Sequence, residues 1–519
     1  MTEVVLGDTL SAETVAAVAE DGVRVRLGPE VAERVQRGRT VLEQAIDSGE
    51  LLYGVNTGLG PSSGIVIPAE AERALQLNLL RSHAAGVGDL LEDEIVRAAL
   101  VVRLHTLGLG HSGVRLELLD QIVAFLNGSL TPCVPRTGSV GASGDLVPSA
   151  HAFLPLIGEG RARTPEGTIL DGRQALTRLG REPLTLQAKE ALALLNGTHF
   201  MAATGALLIS QAKRLIDAAD MAAAASIEAM SGCRAAYDAR VHELRRLPGQ
   251  IHTAENIRVA TAGSERLDRI AGKIHDPYSL RCVPQVHGAA REAVEFFAKL
   301  VDVDLNAVTD NPILFGAEVL SAGNFHGQSL ALAFDVLRLA LADLGSVSER
   351  RIYQLLFPPP DSGLPMVLTS ASQASCGYVA AQFTAAALVS ELRALASPVS
   401  IDSVPTAGNH EDHVSMGMTA ASLARQSAQQ LCSLLSVELL CACQGLDLAA
   451  GAPGIGVRAL HELLRAHVPM LAQDRPADED LAAISGLVNS GQVSAVLDAA
   501  RAQAARNESE SLPSTCLVS

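Results

Sequence analysis

The sequence predicts a mainly α protein, a bundle of long helices, and three observations lead there. Alanine and leucine dominate the second half of the chain. Aromatic residues make up 3% and tryptophan is absent, so β-rich folds lack their usual filling. Residues 328–356, 370–397 and 415–446 keep apolar side chains at three- and four-residue steps for many turns. Charged residues such as Arg338, Arg393 and Arg425 interrupt these segments, so none reads as a membrane span.

Residues 205–230 are rich in small side chains, which suits a central helix closely packed by its neighbours. Gly/Pro-rich stretches at 53–68, 128–148, 275–287, 306–327 and 398–413 read as loops that a rigid bundle would carry. A soft boundary near residue 200 divides a loop-rich part, 1–200, from a helical remainder, 201–519, with no repeat or low-complexity linker between them. The 519 residues are 48% hydrophobic, enough for a large core. A net charge of -17 disfavours nucleic acid or an anionic membrane as partner and leaves small polar ligands open. The acidic start Met1-Thr2-Glu3 does not resemble a signal peptide. Eight cysteines, several in apolar helical stretches such as Cys432, Cys441 and Cys443, read as buried free thiols of a cytoplasmic protein. The terminal Cys516-Leu517-Val518-Ser519 formally fits a prenylation box but lacks a preceding polybasic stretch.

The run Gly138-Ser139-Val140-Gly141-Ala142-Ser143-Gly144-Asp145-Leu146 carries the most chemical information. As a phosphate cradle it lacks the Gly-Lys-Ser/Thr ending, and as a hydrolase elbow it has Asp145 where glycine is required. A plain tight turn remains open. A third reading is covalent: the Gly144 amide nitrogen attacks the Ala142 carbonyl carbon, two waters leave, and Ser143 becomes an exocyclic methylidene. The product is 4-methylideneimidazole-5-one (MIO). Gly144 lacks a Cβ that would block the attack, Gly141 relaxes the bend, and Ser143 supplies the β-leaving group. Asp145 is placed to hold or protonate the departing oxygen.

Eight stretches in order carry a wider resemblance: Tyr53-Gly54-Val55-Asn56-Thr57-Gly58, Ser82-His83-Ala84-Ala85-Gly86, the Gly-Ala-Ser-Gly-Asp run, Leu195-Asn196-Gly197-Thr198, Asp276-Pro277-Tyr278-Ser279-Leu280-Arg281-Cys282, Thr309-Asp310-Asn311-Pro312, Gly323-Asn324-Phe325-His326 and Glu411-Asp412-His413-Val414-Ser415. With them the chain resembles the aromatic amino-acid ammonia-lyases, most closely their histidine branch. The resemblance implies a histidine ammonia-lyase/fumarase-like bundle with a loop-rich N-terminal MIO region. It also implies a homotetramer whose active sites draw on three subunits, and no required metal.

By the same resemblance Tyr53 is the candidate base, Arg281 the carboxylate anchor and Tyr278 a neighbour of substrate and ring. A guanidinium offers a carboxylate two parallel donors, while a phenol needs donors or positive charge nearby to act as a base near neutral pH. Asn196 is expected to donate to the ring or the substrate carboxylate, and Phe325 to wall the ring. Ser82-His83 and Glu411 resemble the histidine branch and are expected, with His275, to bind substrate. A turn Asn, a core Phe, a loop His and an acidic residue complementing a helix dipole are the ordinary readings of these residue types. The grouping of His410, Glu411 and His413 matches no standard metal motif.

The implied reaction is elimination of ammonia from L-histidine to give trans-urocanate. His199, His275, His287, His410, Gln328 and Val283 depart from the histidine-branch pattern. They leave open a modified histidine, tyrosine or phenylalanine as substrate, a 2,3-aminomutase outcome, and a catalytically silent scaffold of the same fold.

Overall fold

A computed structural model describes residues 3–360, 362–369 and 374–511; the Cys516-Leu517-Val518-Ser519 box lies outside them. Helices dominate the described residues, and nine short strands form four small sheets. The Gln328–Leu356 helix begins and ends where its apolar periodicity does. The segment expected to be helical from 370 becomes helix only at Val379. Gly377 sits at φ +53°, where a Cβ would stand 2.2 Å from the Val367 carbonyl oxygen, so the chain turns there.

The residues divide into two units. The first combines Met1–Ser210, Phe297–Asp335 and Pro398–Ser422. The second combines Gln211–Phe296, Val336–Ser397 and Leu423–Ser519.

In the first unit the parallel pair Glu3–Leu6 and Arg24–Leu27 opens the chain. The Asp93–Gly108 helix is buried continuously from Ile95 to Gly108. Leu42, Leu52, Val55, Ala188 and Leu314 form a buried cluster. Leu52 and Val55 bracket Tyr53 in the sequence, so the apolar side chains that sink this loop fix the position of the tyrosine between them. Small residues at the start of the His199–Ala229 helix have a steric cause, since a Cβ on Gly205 would meet Val301 Cγ2 at 2.6 Å.

The second unit is held by buried ion pairs as well as apolar packing. Glu438, fully buried, accepts from Arg351 Nε at 2.5 Å, Arg351 Nη2 at 2.9 Å, Ser226 Oγ at 2.9 Å and Ser348 Oγ at 2.6 Å. His287 and Arg291 both engage Asp220 and hold its carboxyl well below the usual range against the effect of burial. Among the described residues, Gly417–Leu448 is the one helix long and apolar enough to cross a membrane, and 83% of its most apolar window is buried inside the structure. The seven described cysteines are free thiols.

Removing one member of a buried ion pair leaves the other charge uncompensated. Glu438→Gln is expected to destabilise the fold by about 3–5 kcal/mol, read as a lowered urea midpoint at constant slope.

Candidate active site

The Ala142-Ser143-Gly144 turn is fixed by backbone contacts that only glycine permits. Gly141 and Gly144 lie at φ +71° and +81°. A Cβ on Gly144 would stand 2.1 Å from the Gly197 carbonyl oxygen, and one on Gly141 2.2 Å from Ser415 Oγ. The Asp145 N–H donates to that Gly197 oxygen at 2.7 Å, and the Gly197 N–H donates back to the Ser143 carbonyl at 3.2 Å. Asn196 Nδ2 gives the same carbonyl a second donor at 3.3 Å. From the far side, the Met416 N–H donates to Val140 O at 2.9 Å and Ser415 Oγ to Gly141 O at 3.2 Å.

Ser143 Oγ donates to Glu411 Oε1 at 3.1 Å, and Thr406 Oγ1 donates to Glu411 Oε2 at 2.6 Å. Asp145, expected beside the departing oxygen, faces elsewhere. Its Oδ2 accepts the N–H groups of Phe200 and Met201 at 2.8 and 3.0 Å, in the first turn of the His199–Ala229 helix. The helix has orphan N–H groups to satisfy, and the carboxyl satisfies two of them. Burial pushes the Asp145 carboxyl up to about 7, against the downward pull of those two donors. His199, one of the departures from the family pattern, is held neutral by burial, with Nε2 2.8 Å from Ser149 Oγ.

A cavity of about 750 Å³ opens over the turn. Ala142, Ser143, Tyr53, His83, Asn196, Phe325 and Glu411 all line it. Leu79, Leu146, Leu192 and Leu195 supply an apolar wall. Tyr53 Oη accepts the Gly60 N–H at 3.0 Å, which orients the ring from within its own loop. His83 ends the Ala69–His83 helix with Nδ1 2.8 Å from Leu79 O. A carbonyl can only accept, so Nδ1 carries the proton and a neutral His83 keeps Nε2 as an acceptor.

Ser82 is exposed, donates to Leu79 O at 3.2 Å, and does not line the cavity. His275, Tyr278 and Arg281 belong to the second unit and do not line it either. Tyr278 is 71% exposed, with the Arg281 guanidinium 4.8 Å from its ring centroid. Of the six departures from the histidine-branch pattern, only His410 lines the cavity. Gln328 is spent on Ser400 O at 2.9 Å, and His287 on Asp220 Oδ1 at 2.7 Å.

The lining also includes Asn311, His326 and His413, to which the sequence reading gave no catalytic or substrate-binding role. The two histidines stack with centroids 5.8 Å apart and planes 1° apart, and His326 Nε2 lies 3.1 Å from His413 O. Each closes or sits within a motif already quoted, and that adjacency was the available signal. Among the described residues no group of three or more His, Cys, Asp or Glu is placed to hold a metal ion.

Comparison with known proteins places this helical chain, with its serine-bearing turn facing a cavity, in the carbon–nitrogen lyase class. The sequence model described as aromatic amino acid lyase matches residues 10–466, and the chain belongs to that family. It is 48% identical over 506 residues to the histidine ammonia-lyase of Symbiobacterium thermophilum, covering 96% of this chain and 99% of that one. The crystal structure of histidine ammonia-lyase from Trypanosoma cruzi is similar at a TM-score of 0.89 and 35% identity, covering 96% and 95% of the two chains. That of a tyrosine aminomutase from Streptomyces globisporus is similar at 0.90 and 35%, covering 96% and 98%.

The raised Asp145 pKa has a stability consequence. A carboxyl lifted from 3.8 to about 7 in the fold favours the folded state fully at pH below about 4, and that contribution is lost as the pH rises through 7. Wild type should therefore lose ground to Asp145→Asn between about pH 4 and 7, with the gap levelling off above, in denaturation curves recorded across that range.

Proposed function

We propose that this enzyme eliminates ammonia from L-histidine to give trans-urocanate and ammonia, at a site whose Ala142-Ser143-Gly144 segment has condensed to MIO. The observation that carries the reading is the Ser143 environment: its carbonyl accepts from Asn196 and Gly197, and its hydroxyl faces Glu411 inside the cavity lined by Tyr53. The residues fit the group, because the turn tolerates only glycine at 141 and 144 and presents Ser143 to the cavity. MIO supplies an electrophilic carbon that makes the amine a better leaving group.

The chain's own residues do the rest. Asn196 Nδ2 and the Gly197 N–H stand ready to hold negative charge at the Ser143 oxygen, donors already in place before any reaction. Tyr53 Oη takes the β-proton of the substrate. His83 Nε2 accepts an imidazole N–H, and Glu411 binds or charges the imidazole from its own side of the cavity. The leucine wall and Phe325 exclude water around the reacting carbon.

Arg281 anchors the substrate carboxylate and Tyr278 orients it, both reaching the cavity from a neighbouring subunit of a cytoplasmic homotetramer. Ser82 and His275 belong at the margin of this site. Histidine is favoured by His83 and Glu411, two acceptors in the cavity that an imidazole can satisfy with two N–H groups, the phenol of tyrosine with a single O–H and the ring of phenylalanine not at all.

Purified enzyme incubated with L-histidine should give the ultraviolet band of urocanate, and turnover of tyrosine or phenylalanine in its place would refute the substrate. Ser143→Ala should abolish most turnover while leaving the helical signal intact. Tyr53→Phe should lower kcat by about 10²–10⁴-fold, checked by steady-state kinetics.

A further inference from the structure

Among the described residues, the hydroxyl that must leave Ser143 hydrogen-bonds to Glu411. This inference rests on the reading that the Ala142-Ser143-Gly144 turn condenses. We infer that Glu411 is a catalytic residue of that maturation, delivering the proton with which the Ser143 oxygen departs, before it serves the substrate.

The chemistry requires two waters to form. The first takes the Ala142 carbonyl oxygen together with the N–H protons of Ser143 and Gly144, as the bond from Gly144 N to the Ala142 carbon closes. The second takes Ser143 Oγ with its own proton and one more, as the Cβ–Oγ bond breaks and the Cα proton of Ser143 passes to solvent water. A serine hydroxyl is a poor leaving group, so the second step needs an acid at Oγ.

Among the described residues Asp145 makes no hydrogen bond to Ser143 Oγ, and its Oδ1, also buried, has no partner. Its Oδ2 is committed to Phe200 and Met201, and it is wholly buried. Glu411 Oε1 lies 3.1 Å from Ser143 Oγ, within the reach that proton transfer demands. Thr406 Oγ1 holds the other carboxyl oxygen at 2.6 Å, and the Thr406 N–H donates to Glu411 O at 2.9 Å, so the carboxyl is aimed before the reaction starts. In the structure the carboxyl accepts from Ser143 Oγ, so it first takes a proton from cavity water, the same solvent that receives the Cα proton. The hydrogen bond then reverses, and Oε1–H donates to the departing oxygen. No co-reactant is consumed, and the chain gives up two waters.

The arrangement imposes an order on the two roles of Glu411. While Ser143 keeps its hydroxyl, Oε1 is occupied; once that oxygen leaves, Oε1 is free to meet a substrate group in the cavity. The carboxyl is thus released to the substrate by completion of the ring.

The test is a time course of intact mass on freshly synthesised full-length protein, with helical content followed by circular dichroism. Wild type should lose the mass of two waters. Glu411→Gln should fold and lose the second water at least about a hundredfold more slowly. Glu411→Asp, whose shorter side chain pulls the acid away from Oγ, should be intermediate. If Glu411→Gln fails to fold, Glu411→Asp decides by the same readout, slower loss supporting the assignment. Loss of both waters at the wild-type rate in a folded variant overturns the role of Glu411 alone. Wild type that never loses them overturns the reading beneath it.

Discussion

The backbone coupling of Gly144 to Gly197 is the constraint on which the site depends. Two chain segments more than fifty positions apart run side by side as a short parallel bridge, close enough that a methyl group on Gly144 would overlap the Gly197 carbonyl. Gly197 is equally confined, since its own Cβ would stand 2.7 Å from Thr309 Oγ1. This contact sets the Ser143 carbonyl against an N–H and the Asn196 amide, and it delivers Asp145 to the start of the long His199–Ala229 helix. One steric fit thereby positions an oxygen that can bear charge and a turn that can bend.

Below the turn the fold accepts an expensive electrostatic layer. Arg103 and Lys189 are fully buried, and both face Asp310, Lys189 Nζ at 2.7 Å and Arg103 Nη2 at 4.0 Å. Asp304, pushed up to about 6 by burial, accepts from Thr198 Oγ1 at 2.5 Å. Buried charge gives little net stability, but it ties residues from 103, 189, 198, 304 and 310 to one place. Those residues flank the 196–197 segment, so the layer holds rigid the stretch that grips the turn. Rigidity under a site is what lets few side chains act on one substrate.

Much of this was legible in the sequence, for identifiable reasons. The helix from Gln328 to Leu356 could be read to the residue because its burial is periodic and local. The glycines at 141 and 144 were legible because their steric requirement is local too. The partners of Asp145 Oδ2 were not legible, since they lie at 200 and 201 and no spacing rule links them to 145. The contact of Glu411 with Ser143 was equally hidden, because it spans 268 positions. Departures from the family pattern carried less meaning than their number suggested. His199 and His287 are buried and hydrogen-bonded within their own units, and only His410 reaches the cavity. A sequence position departs from pattern equally whether its side chain faces a ligand or a core, and only the fold separates the two.

The central claim is that a backbone turn shaped by two glycines becomes an electrophile. High-resolution crystallographic density for the active enzyme tests it most directly. The account predicts a planar five-membered ring joining Ala142 to Gly144, with no density for a hydroxyl at Ser143. An open peptide with an intact serine side chain, in crystals that turn over substrate, would contradict it.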